Sequence, residues 1–172
     1  IDWFRPILLL NLGTCGGIAG RVERGQIVLV EKTVYDLIEQ MDNNGDVQGY
    51  YVSELDLSFL LEPYPWGVKR QTMLSADRDL LAEDIPFLVQ KYDATVCDWE
   101  SAAIAFVAKR NGVPLVILRG VSDLVSPLGG EAYGNLALFY QSTASIMKKL
   151  LENFGDWLEC VDFSVLESKW VS

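Results

Sequence analysis

The 172-residue sequence contains no histidine. That absence removes Ser-His and Cys-His nucleophile pairs, imidazole general bases and the common zinc sites. Acid–base chemistry must then come from carboxylates, Lys, Tyr or Cys. Cysteine is scarce and odd in number. Cys15, Cys97 and Cys160 are widely spaced and read as free thiols in a reducing compartment. Basic residues number 14 against 24 acidic ones, a net charge of −10. Such a chain is not drawn to a phosphate lattice, which argues against nucleic-acid and anionic-membrane partners. No unbroken apolar run approaches the ~20 residues that span a bilayer, and no secretory signal is visible. A cytoplasmic location is the expectation. No internal repeat, linker or low-complexity tract interrupts the chain.

Half of the residues are hydrophobic and 22% are charged, a globular composition. One domain over residues 1–172 with a sizeable core is expected at this length. The most organised stretch runs from Val96 to Asp123. A short apolar segment ends in Asp98-Trp99-Glu100. A helix-like run from Ser101 to Arg110 is apolar almost all round, which predicts burial. Lys109 and Arg110 sit in its last turn, Asn111-Gly112 can form a left-handed cap, and Pro114 follows. A second apolar segment, Leu115 to Leu118, leads into Arg119-Gly120-Val121-Ser122-Asp123. This pattern predicts a β-α-β unit with a carboxylate at each strand end, Glu100 and Asp123. Ligands in open α/β sheets bind outside the carboxyl ends of strands, so a site is expected there.

Elsewhere, Ile1–Arg5 reads as the remainder of a helix and Pro6–Leu12 as a buried strand. Gly13-Thr14-Cys15-Gly16-Gly17 reads as a glycine-rich turn that could bring backbone N–H groups to a ligand. It is neither a P-loop nor a dinucleotide fingerprint. Arg21–Gly25 is a polar turn and Gln26–Tyr35 a strand. Asp42–Asp46 resembles the opening of a calcium loop, but Val47 and Ser53 stand where Gly and Glu are required, so a surface turn is expected and no metal site. Gly49–Leu61 mixes strand and loop signals, and the aromatics of Glu62–Gly67 read as a packed rim. Val68–Leu74 predicts a strand closed by Ser75-Ala76-Asp77. Leu80–Tyr92 predicts a helix in which Pro86 takes the first turn or makes a kink. Val125–Gly130 reads as a mobile loop, Glu131–Asn153 as a helix stopped by Gly155, and the tail with Trp157 and Trp170 as packed on the body. The fold class is therefore α/β.

Four segments could converge on one sheet edge: Gly13–Gly17, Ser75–Asp77, Asp98–Glu100 and Arg119–Asp123. The motifs Asn11-x-Gly-Thr-x-Gly-Gly17, Gly25-Gln-Ile-Val28, Asp98-x-Glu-x-Ala-Ala-Ile-Ala105 and Val113-Pro114 before Arg119-x-x-Ser-Asp123 occur in order over most of the chain. Together they resemble the nucleoside phosphorylase/hydrolase family, most of all its 5′-methylthioadenosine/S-adenosylhomocysteine nucleosidases. The resemblance implies a three-layer α-β-α fold around a mixed, barrel-like sheet. It implies cleavage of an N-glycosidic bond in a purine nucleoside, without cofactor or metal, in a homodimer. It gives Asp123 the role of protonating the leaving base, with Thr14 and Arg119 at the sugar and nucleophile. It gives Glu100 the ribose hydroxyls, and makes Trp99, Asp98, Gly16, Ser122, Asp77 and Leu80 further substrate contacts. Outside the resemblance, Asp123 would be an ordinary helix N-cap, Glu100 a first-turn acid favoured by the dipole, and Arg119 a loop holder. Phosphorylases of the family commonly carry Arg where this chain has Asn11, which favours water as the nucleophile. Family members have Met where Trp99 stands, which bears on the 5′ substituent. They also have strands before Pro6 that carry a water-activating Glu. A fragment or a shortened relative, either a hydrolase or an impaired nucleoside binder, is expected on that ground.

Overall fold

The computed structural model describes residues 6–35 and 49–170. The readings of Ile1–Arg5 and Asp42–Asp46 and the packing of the Trp170 side chain lie outside the described residues. One sheet organises the chain. Its strands are β1 (Leu9–Ile18), β2 (Ile27–Tyr35), β3 (Val52–Glu54), β4 (Arg70–Ser75), β5 (Val96–Asp98), β6 (Leu115–Ser126) and β7 (Gly129–Gly130). Their order is β3-β2-β4-β5-β1-β6-β7, and a further β2–β6 pairing closes the middle strands into a barrel. Pairing is mixed: β1 runs parallel to β6, whereas β5 is antiparallel to β1 and β2 antiparallel to β6.

The helices cover both faces, as the alternation of the strands requires. In β2 and β6, Ile27, Leu29, Val116 and Leu118 join one core cluster, with Ile146 and Leu150 of α3 (Leu136–Glu152). Their neighbours Val28, Val30, Leu115 and Ile117 join another, with Ala105 and Ala108 of α2 (Ser101–Arg110). A third cluster holds α1 (Ile85–Tyr92) against Ile18, Val34 and Leu74. This is the expected α-β-α arrangement with a barrel-like sheet.

Several local expectations change. The Gly13–Gly17 segment is strand rather than turn, because β1 continues through it to Ile18. Its glycines serve close packing: a Cβ at Gly17 would lie 2.6–2.9 Å from Val22, Val121 and Leu124. The β-α-β unit is not a pair of neighbouring parallel strands, since β1 lies between β5 and β6. Asp123 stands within β6, which runs to Ser126, so it is neither a strand end nor an N-cap. Helix α2 is buried on one face only: Ala102, Ala105 and Ala108 face the sheet while Val107 is exposed. Its end forms as expected, with Gly112 at φ 63° and Gly112 N–H and Val113 N–H bonding the carbonyls of Lys109 and Ala108. Val125–Gly130 is a β6–β7 hairpin rather than a loop. Pro86 sits in the first turn of α1, behind a 3₁₀ turn at Ala82–Asp84. Helix α3 starts at Leu136, where Asn135 accepts from Leu138 N–H at 3.2 Å, and stops at Asn153. Gly155 lies inside α4 (Phe154–Glu159).

The tail packs back through α4 and α5 (Phe163–Trp170). Trp157 is 2% exposed, stacks on Tyr64 and meets Trp66 edge-on, and Leu61 N–H bonds the Cys160 carbonyl at 2.8 Å. Truncating so buried an indole costs about 3–5 kcal/mol. Urea unfolding of Trp157→Ala is therefore expected to show a loss of that size; a loss under ~1 kcal/mol would mean that the tail contributes little to the core.

Candidate active site

A cavity of about 820 Å³ opens along β1 and β6. That is within the range of small-molecule sites. Strand β1 crosses it from Asn11 to Gly16, opposite Ile117 to Asp123 of β6. Of the ten residues expected at a site, Thr14, Gly16, Leu80, Asp98, Trp99, Glu100, Arg119, Ser122 and Asp123 line it. Asp77 does not: both it and Asp79 are exposed, and of the two only Asp79 borders the cavity.

One buried network holds the middle of this wall. Asp98, at the end of β5, accepts from Ser75 Oγ at 2.6 Å and from Ser101 N–H at 3.1 Å, and Ser101 Oγ bonds its second oxygen. Ala102 N–H bonds Ser75 Oγ at 2.9 Å, so side chains satisfy the first free N–H groups of α2. Arg119 Nη2 lies 3.1 Å from Asp98 Oδ2, with both side chains at 7% exposure or less. The same guanidinium donates to Ser101 Oγ through Nε and Nη2 at 3.2 and 3.0 Å. Glu100 lies 3.8 Å from Arg119 and remains open to the cavity. Gly13 is required here, because a Cβ would lie 1.9 Å from Arg119 Nη1. Asp98 is thus occupied with structure, and Glu100 is the neighbouring carboxylate left open to solvent.

At the other end, the β1–β6 register slips between Cys15 and Gly16. Val121 pairs with Cys15 and Asp123 with Gly16, leaving Ser122 as the extra residue of a bulge. Without it Asp123 would face Gly17 and the packed core, since a one-residue slip exchanges the faces. With it the carboxyl reaches the cavity. Ser122 Oγ lies 2.5 Å from Asp123 Oδ1 and 3.1 Å from the Cys15 carbonyl. Burial holds the Asp123 carboxyl above the usual carboxylate range; the Ser122 bond opposes this, and the charges of Glu131 and Asp79 add to it. A carboxyl raised in this way holds its proton to higher pH than an ordinary carboxylate does, which suits a general acid.

The sequence reading missed several lining residues. Cys15 and Cys97 face the cavity, but burial raises both thiols, Cys97 to about 12, so neither is a thiolate nucleophile at neutral pH. Tyr133, after β7, bonds the Leu80 carbonyl and ties two loops together beside the cavity. Arg78 lines the wall and pairs with Asp84 at 2.7 Å. Leu136, Phe139 and Met147 of α3 and Ile104 of α2 make the apolar walls. The helical period marks these apolar positions, but no local pattern marks Tyr133 or Asp79. Among the described residues no cluster of His, Cys, Asp and Glu could hold a metal ion, and no helix is long and apolar enough to cross a membrane.

No family model matches the chain. A 5′-methylthioadenosine/S-adenosylhomocysteine nucleosidase of Buchnera aphidicola is 25% identical over 169 residues, covering 91% of this chain and 73% of that protein. A crystal structure of an MTA/SAH nucleosidase superposes with a TM-score of 0.71 at 25% identity, over 90% of this chain and 62% of that one. The fold is that of the nucleoside phosphorylases and hydrolases. By sequence the chain is similar to 5′-methylthioadenosine/S-adenosylhomocysteine nucleosidases at 25–28% identity. The Arabidopsis thaliana 5′-methylthioadenosine nucleosidase in apo form gives a TM-score of 0.67 at 25% identity, over 88% of this chain and 64% of that one. The chain thus spans less than two thirds of the length of these two solved nucleosidases.

The network predicts an energetic asymmetry. Asp98→Asn leaves the Arg119 charge without its buried partner, with only the exposed Glu100 at 3.8 Å, and is expected to cost about 3–5 kcal/mol in urea unfolding. Adding Arg119→Met should recover most of that loss. A double variant no more stable than the single one would contradict the pairing.

Proposed function

We propose that this chain cleaves the N-glycosidic bond of 5′-methylthioadenosine- or S-adenosylhomocysteine-type nucleosides with water and releases adenine. The observation that carries this reading is Asp123: a buried carboxyl with a raised pKa, turned by a bulge into a nucleoside-sized cavity that also holds Glu100. Asp123 protonates the purine as the bond breaks, which makes the base a better leaving group. Glu100 accepts hydrogen bonds from the ribose hydroxyls and stabilises the positive charge that develops on the sugar. Thr14 and Arg119 border the sugar, Gly16 and Ser122 the base, Leu80 the rim beside it, and the exposed indole of Trp99 flanks the ribose. Asp98 acts through Arg119.

Water is favoured over phosphate by the state of the cations. Arg119 is already compensated by Asp98 and Glu100, and Arg78 by Asp84. A phosphate dianion would find no uncompensated cation among the described lining residues. A second reading, a nucleoside binder without turnover, follows from the carboxylates. The described lining residues offer Asp79, Asp98, Glu100 and Asp123. With Glu100 on the ribose and Asp123 at the base, none stands over the sugar to aim the water. We also infer a homodimer, because the β6–β7 turn and the approach to and first turns of α3 expose Leu128, Tyr133, Leu136 and Tyr140. A cytoplasmic location accords with three free thiols.

Adenine release from 5′-methylthioadenosine, followed with and without phosphate, tests these readings together. Release independent of phosphate is expected, and strict phosphate dependence would favour a phosphorylase. Saturable binding without release would favour the binder. Asp123→Asn is expected to lower release by at least 100-fold while sparing most sugar binding. Because the acid works only when protonated, wild-type kcat/KM should fall as pH rises through the raised Asp123 pKa. Analytical ultracentrifugation should give twice the chain mass, and Leu136→Glu the single mass.

A further inference from the structure

The Trp99 indole lines the cavity and is 61% exposed. Among the described residues no aromatic ring packs against it, and no lysine or arginine stands over it. Its faces are open to a ligand, while its backbone is fixed on both sides. Asp98 before it is held by Ser75, Ser101 and Arg119. Glu100 after it caps α2 and lies 3.8 Å from Arg119. Strand β5 pairs antiparallel with β1 at Val96–Gly17 and Cys97–Gly16. The chain leaving β5 at Trp99 therefore runs back along β1 toward Thr14, at the Glu100 end of the wall. The charges there are one guanidinium, Arg119, against two carboxylates, Asp98 and Glu100. An excess of negative charge beside an unoccupied indole face suits a cation, because tryptophan presents the most favourable aromatic face to positive charge.

We propose that the Trp99 indole stabilises, by a cation–π contact, the positive charge that develops on the ribosyl ring as the N-glycosidic bond breaks. This rests on the nucleosidase reading and gives Trp99 a catalytic task within it. The bond between the anomeric carbon and the purine nitrogen breaks with its electron pair leaving on the base. The sugar is left electron-poor, with the charge spread over the anomeric carbon and the ring oxygen. Glu100 meets that charge as an anion, and the indole meets it as an electron-rich face. A neutral ground state gains only apolar contact from the same face. The interaction therefore strengthens between ground state and transition state, which is the condition for raising kcat.

Calorimetric titration with two ligands of one shape tests this. One is an uncharged C-nucleoside analogue of 5′-methylthioadenosine; in the other a protonated nitrogen replaces the oxygen of the sugar ring. Trp99→Leu is expected to weaken the cationic ligand about 10-fold and the neutral one less than about 3-fold. Trp99→Phe should fall between. Trp99 is exposed, so neither substitution disturbs the core. Fluorinated tryptophan has a less electron-rich face at nearly the same size. Incorporated throughout, it should weaken the cationic ligand in step with the number of fluorines in wild type, but not in Trp99→Phe. In turnover, Trp99→Leu should lower kcat about 10-fold and leave KM nearly unchanged. Equal weakening of both ligands would overturn the proposal and leave the indole as an apolar contact. Unchanged affinity for both would overturn it by taking Trp99 out of contact with the ligand. In either case the nucleosidase reading stands, because both ligands bind. Wild type that binds neither ligand would overturn that reading and the proposal together.

Discussion

The buried contact between Arg119 and Asp98 joins the parts of this molecule that make the cavity. Arg119 comes from β6, Asp98 from β5, and between them lies β1, whose Gly13 has no side chain where the guanidinium passes. Ser75 of β4 and Ser101 of α2 complete the network. A buried ion pair of this kind needs its remaining donors and acceptors satisfied, and here serines and free helix N–H groups do so. The same network therefore seats the first turn of α2, which in turn sets Glu100 at the edge of the cavity. Its electrostatic consequence is equally direct. The Arg119 cation is neutralised before any ligand arrives, so the wall presents hydrogen-bonding groups rather than a free positive charge.

A second constraint works along the strand pair. The slip at Ser122 exchanges the faces of β6 between Arg119 and Asp123, and it places the two functional ends of the cavity on strands that otherwise pair in register. Burial alone would make Asp123 costly as an anion. The charges of Glu131 and Asp79 add to that preference, and the Ser122 hydroxyl opposes it. The cavity is thus divided, with the exposed carboxylate of Glu100 toward one end and the buried Asp123 carboxyl, its pKa raised, toward the other. That division is what a reaction creating a cation on one side and an anionic leaving group on the other requires.

Much of this was legible in the sequence where the signal is local. The all-apolar segments marked the strands, and Lys109-Arg110-Asn111-Gly112 marked the end of α2 down to its hydrogen bonds. The motif acids Glu100 and Asp123 were found because their neighbours are distinctive. Tertiary features were hidden. Gly13–Gly17 looks like a turn because glycine carries no record of why a side chain is excluded; here an arginine and three core residues need the space. Asp77 and Asp79 are alike in composition, and only the path of the loop decides which faces inward. The structural duty of Asp98 depends on serines 23 residues before and three after it, and the bulge at Ser122 has no local mark. The exposure of Val107 on a helix of apolar appearance shows that composition overstated burial.

The central claim is that this wall binds a purine nucleoside through Glu100 and Asp123 with its cations already compensated. Calorimetric titration with a C-nucleoside analogue of 5′-methylthioadenosine, which cannot be hydrolysed, measures this directly. The account predicts saturable binding whose affinity is unchanged by added phosphate and which tightens as pH falls through the Asp123 titration. Binding that requires phosphate, or no binding at any pH at which the protein is folded, would contradict it.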